Sequence, residues 1–344
     1  MKHILIISSF IFTVYCTAQQ SDFKDINFKK ADSIALHYKN EALDNLPLLA
    51  YQLTENLTTD TERFRAIYMW VCSNIANDYK LYIRNKHQRR RYKNDLEKLN
   101  AWNTRFSKTL FKTLQKRKRT VCTGYAYLVR ELASFADIDC KIVQGYSKTS
   151  TTEIDKLTAP NHSWNAVKLN GKWYLCDPTW ASGIVNPETN RFQFQYNDGY
   201  FLTTPALFAL NHFPSDKSWL LTTANTTTFK QFLAAPIVYG SAFSKLESHD
   251  SPKQLHQNVL KYEVVHFKYL VKDNISTSET YFLRYDGNYI TKKFPIALKS
   301  TNGILELDYQ FTKTGMYDLH LYIENKLIAT YTFNVKDKML ALNY

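Results

Sequence analysis

Three residues of the chain have the types that nucleophilic chemistry needs: Cys122, His162 and Asp177. Cys122 lies at the start of the string TVCTGYAYLVRELASFADIDC, and the other two lie in NHSWNAVKLNGKWYLCDPTW. A thiol nucleophile, a base to take its proton and a carboxylate to orient the base are the parts of covalent acyl transfer. A thiol attacks as its thiolate, which has an unperturbed pKa of about 8.5 and so needs positive potential nearby. Cys122 follows a basic run and begins an apolar-periodic stretch, where a helix N-terminus and a neighbouring imidazolium both favour the thiolate. Backbone N–H groups at such a helix start also suit the oxyanion of a tetrahedral intermediate. Each residue alone has a plainer use: a small packed thiol, a satisfied strand histidine, a turn-forming aspartate before proline.

The elements that must position these residues are legible around them. Tyr125, Leu128, Val129, Leu132 and Phe135 recur at helical spacing behind Cys122. KIVQGYSK reads as a short buried strand, and a Ser/Thr-rich loop at 147–160 precedes His162. Asn170-Gly171, between two aromatic and β-branched runs, predicts a two-residue hairpin. With that turn, Leu169 faces Lys172, Trp164 faces Asp177 and His162 faces Thr179. His162 and Asp177 then share a face as diagonal neighbours, about 7–8 Å apart at the backbone and within reach of an imidazole–carboxylate hydrogen bond. A slip of one residue would put them on opposite faces. Upstream, Thr59 and Glu62 form a capping signal before a helix whose stripe is Phe64, Ile67, Tyr68, Val71, Cys72 and Ile75, which makes Cys72 a core residue.

Cys122-Thr123-Gly124-Tyr125, His162-Ser163-Trp164-Asn165 and Asp177-Pro178-Thr179-Trp180 together resemble the transglutaminase-like superfamily. WVCSNIANDY and GYFLTTPALFALNHFPSDKSWLL resemble its kyphoscoliosis-peptidase branch, and the likeness covers about residues 55–235. The resemblance implies a papain-like fold with Cys122 as nucleophile, His162 as base and Asp177 as orienter. Tyr125, Trp164 and Trp180, within the same motifs, are candidates for binding substrate or supporting the site.

The formal net charge of +13 is concentrated in one segment. Residues 80–119 hold fifteen Lys and Arg against two acids, so the remainder is neutral. Two readings fit this segment: a solvated helical excursion packing Trp102, Phe106, Leu110 and Leu114 inward, or a docking surface for an anionic surface or glycan. No base-reading or stacking motif accompanies the charge, which argues against nucleic acid. The five cysteines form no CxxC pair, and no metal site or cofactor is expected. Residues 1–18 read as a signal peptide, with Lys2 before the apolar run ILIISSFIFTVY and cleavage after Ala18. The rival, a lipoprotein cut before Cys16, is weakened by Tyr15. No stretch reads as a membrane span, and the expected location is secreted or periplasmic.

The expected fold class is α+β. A papain/transglutaminase-like domain over 19–240 (core 55–235, basic insertion 80–119) is followed by an all-β immunoglobulin-like sandwich over 255–344, with 237–258 as the join. Thr314-Gly315-Met316-Tyr317-Asp318 reads as a strand corner carrying a tyrosine. The expected function is that of an exported cysteine enzyme acting on protein or peptide amides through a thioester. The alternative is a non-catalytic peptide-binding or scaffold protein.

Overall fold

The computed structural model describes residues 20–337, apart from 187, 223–226, 274 and 288. The leader read over residues 1–18, with Cys16, lies outside the described residues. Three helices come first: α1 (Lys29–His37), α2 (Leu46–Thr54) and α3 (Asp60–Asn74). The capping box at Thr59 and Glu62 forms as read, and Phe64, Ile67, Tyr68, Val71 and Cys72 are fully buried. Each such apolar side chain contributes about 1.5–3 kcal/mol over its exposed state.

The basic segment is a helical excursion, α4 (Tyr79–Arg91) and α5 (Leu96–Arg117), capped by the Asp78 and Asp95 side chains. Trp102, Leu110 and Leu114 are buried and Phe106 is half-buried, so the segment has the inward apolar face its spacing predicts. Its base is closed by two short parallel strands, β1 (Ala76–Asn77) and β2 (Arg119–Thr120). Parallel partners need a crossover connection, and α4–α5 supplies it.

Behind it, α6 (Cys122–Phe135) packs against a four-stranded antiparallel sheet. The strands are β3 (Cys140–Ser147), β4 (His162–Leu169), β5 (Lys172–Cys176) and, after the small pair β6 (Gly183–Val185) and β7 (Phe192–Phe194), β8 (His212–Pro214). The sheet order is β5-β4-β3-β8. The β4–β5 register pairs Leu169 with Lys172 and Asn165 with Cys176, as counting from the turn predicts. Asn170 (φ 48) and Gly171 (φ 80) both take positive φ, as a type I′ turn requires. One expected core residue departs: Phe135 is 48% exposed, because α6 ends there and its last side chain splays past the edge of the packed face.

The C-terminal strands form two sheets. β9 (Ile237–Val238) pairs with β18 (Lys326–Lys336). One sheet joins β10 (Leu246–Ser251), β12 (Val264–Val271), β16 (Ile304–Gln310) and β15 (Ala297–Thr301). The other joins β11 (His256–Leu260), β18, β17 (Gly315–Ile323), β13 (Tyr281–Asp286) and β14 (Tyr289–Lys293). This is an immunoglobulin-like sandwich, with a tyrosine corner at Tyr317, whose hydroxyl donates to the Lys313 and Thr314 carbonyls. Strands β9 and β10 lie in the segment read as a join, so the sheet begins ahead of residue 255. They were missed because Pro236, Gly240 and the polar run LESHDS read as linker. Among the described residues no helix is long and apolar enough to cross a membrane.

Candidate active site

Asp177 is the fixed point. It follows β5 and caps the short helix α7 (Pro178–Ser182), its Oδ1 accepting from the Thr179 and Trp180 N–H groups at 2.8 and 3.2 Å. Its own N–H donates to the Tyr200 carbonyl, which also accepts from the Tyr68 hydroxyl of α3. Tyr200 ends the short turn Asp198–Tyr200, whose first residue is tied to the early helices. Arg65, 5% exposed, bridges Asp198 to Asp32 of α1 and lies over the Phe28 and Phe201 rings. The first helices therefore hold the loop that holds Asp177. Its carboxylate is wholly buried; burial raises its pKa, but bonds and charge from His162 and His212 outweigh that and hold it ionised, well below the usual carboxylate range.

His162 Nε2–H donates to Asp177 Oδ2 at 2.7 Å, so the diagonal placement read from the hairpin becomes a contact. Burial alone would lower the imidazole; the Asp177 charge and hydrogen bond, then Cys122, push it up to about 10. With Nε2 committed to Asp177, Nδ1 is the nitrogen left for the thiol.

Cys122 is the first residue of α6, half-buried, with its thiol under the influence of the His162 imidazole. Burial pushes its pKa up, but the His162 bond and charge and the Ser163 N–H outweigh it, so the thiol lies below its ordinary value. α6 can sit down on β2 at this point because Gly124 has no side chain: a Cβ there would lie 1.9 Å from Thr120 Oγ1. Cys72, Cys140 and Cys176 are buried free thiols raised by burial, the reverse of Cys122.

The three aromatic candidates separate. Trp180 stacks on His162 at 5.2 Å and Trp164 flanks it at 6.0 Å, so both form walls of the site. Tyr125 instead points into the core and donates to the Ile75 carbonyl, joining α6 to the end of α3. Sequence reading passed over His212, whose Nε2 lies 3.1 Å from the same Asp177 Oδ2. Its only signal was its place in HFPSDKSWLL; the β3–β8 pairing that brings it home joins Ser147 to His212 across a long gap.

His162, Asp177 and His212 are also the set among the described residues whose ligand atoms converge, within 4.8 Å. Two ligands on a tetrahedral zinc stand about 3.3 Å apart, whereas contacts of 2.7 and 3.1 Å are hydrogen-bond separations.

The family described as transglutaminase-like superfamily matches residues 48–178, a span holding all three residues. That stretch is a transglutaminase-like domain. It belongs to the kyphoscoliosis-peptidase-like branch. Human kyphoscoliosis peptidase is 35% identical over 196 residues, which is 56% of this chain and 26% of that protein. Hillarin of Drosophila melanogaster is 26% identical over 226 residues, 62% of this chain and 25% of its own length. The Lim and transglutaminase domain protein ltd-1 of Caenorhabditis elegans is 26% identical over 207 residues, again 56% of this chain and 26% of that protein. The chain thus spans about a quarter of the length of these relatives. In the transglutaminase-like domain, Gly124 and Asp177 shape the backbone around Cys122 and His162, while Trp164 and Trp180 shield the imidazole from water.

Proposed function

We propose that this chain is a cysteine enzyme acting on protein or peptide amides, with Cys122 as nucleophile, His162 as general base and acid, and Asp177 as orienter. The observation that carries the reading is the 2.7 Å hydrogen bond from His162 to Asp177 beside a thiol at the first residue of α6, with the thiol pulled down and the imidazole pulled up. The thiolate attacks the amide carbonyl, and the N–H groups at the start of α6 face the developing oxyanion. The C–N bond breaks, the amine leaves with the proton carried by His162, and a thioester forms on Cys122. Water or a second amine then attacks the thioester, giving its proton to His162 and regenerating the thiolate.

The test is alkylation of Cys122 by iodoacetamide across pH, with each cysteine followed by peptide mapping, in wild type and His162→Ala. Cys122 alkylates well below pH 8 in the wild type and loses that reactivity in the variant. Ordinary thiol behaviour in both proteins would leave the domain a peptide-binding scaffold. Release of ammonia from a glutamine-containing protein, against incorporation of a fluorescent amine into it, separates hydrolysis from transfer.

Two further assignments belong to this proposal. Residues 1–18 are a leader, and the mature protein acts in the cell envelope or outside it; a mature N-terminus other than Gln19 refutes the cleavage site. The basic face of α4–α5 docks on an anionic surface or glycan, since of the fifteen Lys and Arg over 80–119 only Lys98 and Arg119 pair with a carboxylate among the described residues. The sandwich serves as an accessory module.

A further inference from the structure

We propose that His212 is a positioning residue for His162: it donates a second hydrogen bond to the carboxylate oxygen that orients the His162 ring, and so limits how tightly Asp177 holds the imidazolium proton. The inference rests on the acyl-transfer reading only for the use made of that proton.

The geometry is specific. His162 Nε2 and His212 Nε2 stand 2.7 and 3.1 Å from one atom, Asp177 Oδ2. Both rings are buried, with centroids 5.4 Å apart. His212 lies flat on Phe208 at 3.9 Å and 15°, with Trp164 at 5.1 Å and Trp180 at 4.5 Å. A residue needed only to fill that stack could be a phenylalanine. What the imidazole adds is an N–H aimed at Asp177.

The charge state of His212 follows from its surroundings. Burial, and after it the His162 charge, push it down to about 4 against the pull of Asp177 and of the Phe208 backbone. A neutral ring that gives its Nε2–H to Asp177 keeps Nδ1 as a bare acceptor, and Nδ1 is buried without a hydrogen-bond partner. The other titratable groups around the cluster are Cys122 and Tyr125 of α6, Tyr68 and Cys72 of α3, Cys176 of β5, and Tyr200. Burial raises the three phenols and the thiols of Cys72 and Cys176, so they stay neutral. The field at His162 is therefore set by Asp177, the His212 N–H and Cys122.

Two donors on one oxygen compete. While His162 is an imidazolium, its charge already compensates Asp177 and the His212 bond is an ordinary one. Once His162 has given up its proton, the carboxylate charge is uncompensated and the His212 bond is charge-assisted, about twice as strong. His212 thus favours the state in which the proton has left His162. Acyl transfer needs that state, because His162 must protonate the departing amine, and a carboxylate that raises an imidazole to about 10 resists the transfer. The difference between a charge-assisted and an ordinary bond corresponds to about tenfold in the imidazolium equilibrium, or about one pH unit.

The test is an NMR titration of the full chain labelled with 15N in its histidine rings, in wild type, His212→Phe and His212→Gln. The His162 midpoint rises by about one pH unit in His212→Phe, which keeps the stack and loses the donor. It returns close to wild type in His212→Gln, which restores an N–H. A midpoint unmoved in a folded His212→Phe overturns the proposal and leaves His212 a packed core residue. Should His212→Phe fail to fold, the wild-type spectrum decides. A His212 ring that is neutral, protonated on Nε2 and silent between pH 5 and 8 supports the proposal; titration in that range, or a proton on Nδ1, refutes it. An unreactive Cys122 would end the acyl-transfer reading while leaving this measurement intact.

Discussion

Replacing Asp177 by Asn removes one charge and keeps the shape, so its effect can be worked through atom by atom. The amide oxygen can still accept from the Thr179 and Trp180 N–H groups, which preserves the cap of α7. The amide nitrogen must then face His162 Nε2 and His212 Nε2, two donors that now meet a donor. His162 relieves the clash by moving its proton to Nδ1, the nitrogen that serves Cys122. Without Asp177 the imidazole falls from about 10 to its ordinary 6.5 or below, since burial then acts unopposed. The fall from about 10 to 6.5 alone corresponds to about 5 kcal/mol of lost imidazolium stabilisation. With no imidazolium beside it at pH 6.5, a thiol with a pKa of about 8.5 is only about 1% thiolate. A less acidic thiolate is intrinsically more nucleophilic, which recovers part of the loss and still leaves alkylation slower than in the wild type. Stability follows the same group. Its folded pKa lies above its unfolded one, so its contribution is full below pH about 6.5 and is lost as pH rises towards 10. Asp177→Asn therefore lowers the urea midpoint more at pH 6 than at pH 10. An Asp177→Asn protein that alkylates at Cys122 with the wild-type pH profile would refute the electrostatic reasoning for the whole site.

Arg65→Met leaves Asp32 and Asp198 without their guanidinium and costs about 1–3 kcal/mol of unfolding free energy in urea, because the carboxylates left behind are 28% and 46% exposed and reach water; Cys122 alkylation in the folded fraction changes little. Lys148, 1% exposed and held by the Ala235 carbonyl, is lowered to about 7 by burial, so its destabilising effect is full below pH 7 and vanishes above its unfolded value. Lys148→Met accordingly raises the unfolding free energy measured in urea by about 1–4 kcal/mol at pH 7 and by less at pH 10. Charge reversal at Arg84, Arg89 and Arg91 abolishes binding to a heparin column, and the wild type elutes earlier as salt rises; flow-through of the wild type at low ionic strength would leave α4–α5 a solvated face.

What the sequence made legible was local. The Asn170-Gly171 turn gives the β4–β5 register by counting, and the register brings His162 to Asp177. Helical spacing gives the buried faces of α3, α5 and α6, and it errs at Phe135, where the helix stops and periodicity no longer implies a neighbour. The approach of Cys122 to His162 depends on how α6 docks against β4, and no count along the chain supplies that. His212 depends on the β3–β8 pairing, and Arg65 on three segments meeting at one guanidinium. In each case the partners are far apart in sequence, and their residue types are ordinary until they are brought together.

Asp177 does two jobs at once, one oxygen serving the backbone of α7 and the other the histidines. Cys122 has only the second kind of duty: it sits half-exposed at a helix start, and the groups that lower its thiol are His162 and the Ser163 N–H. A lineage that abandons the chemistry still gains about 1 kcal/mol from an aspartate at the cap, so that position drifts last. The cysteine has no such second anchor and drifts first. Among chains of this fold, an aspartate aligned with Asp177 is therefore a mark of ancestry, and the residue aligned with Cys122 is the better mark of a working enzyme.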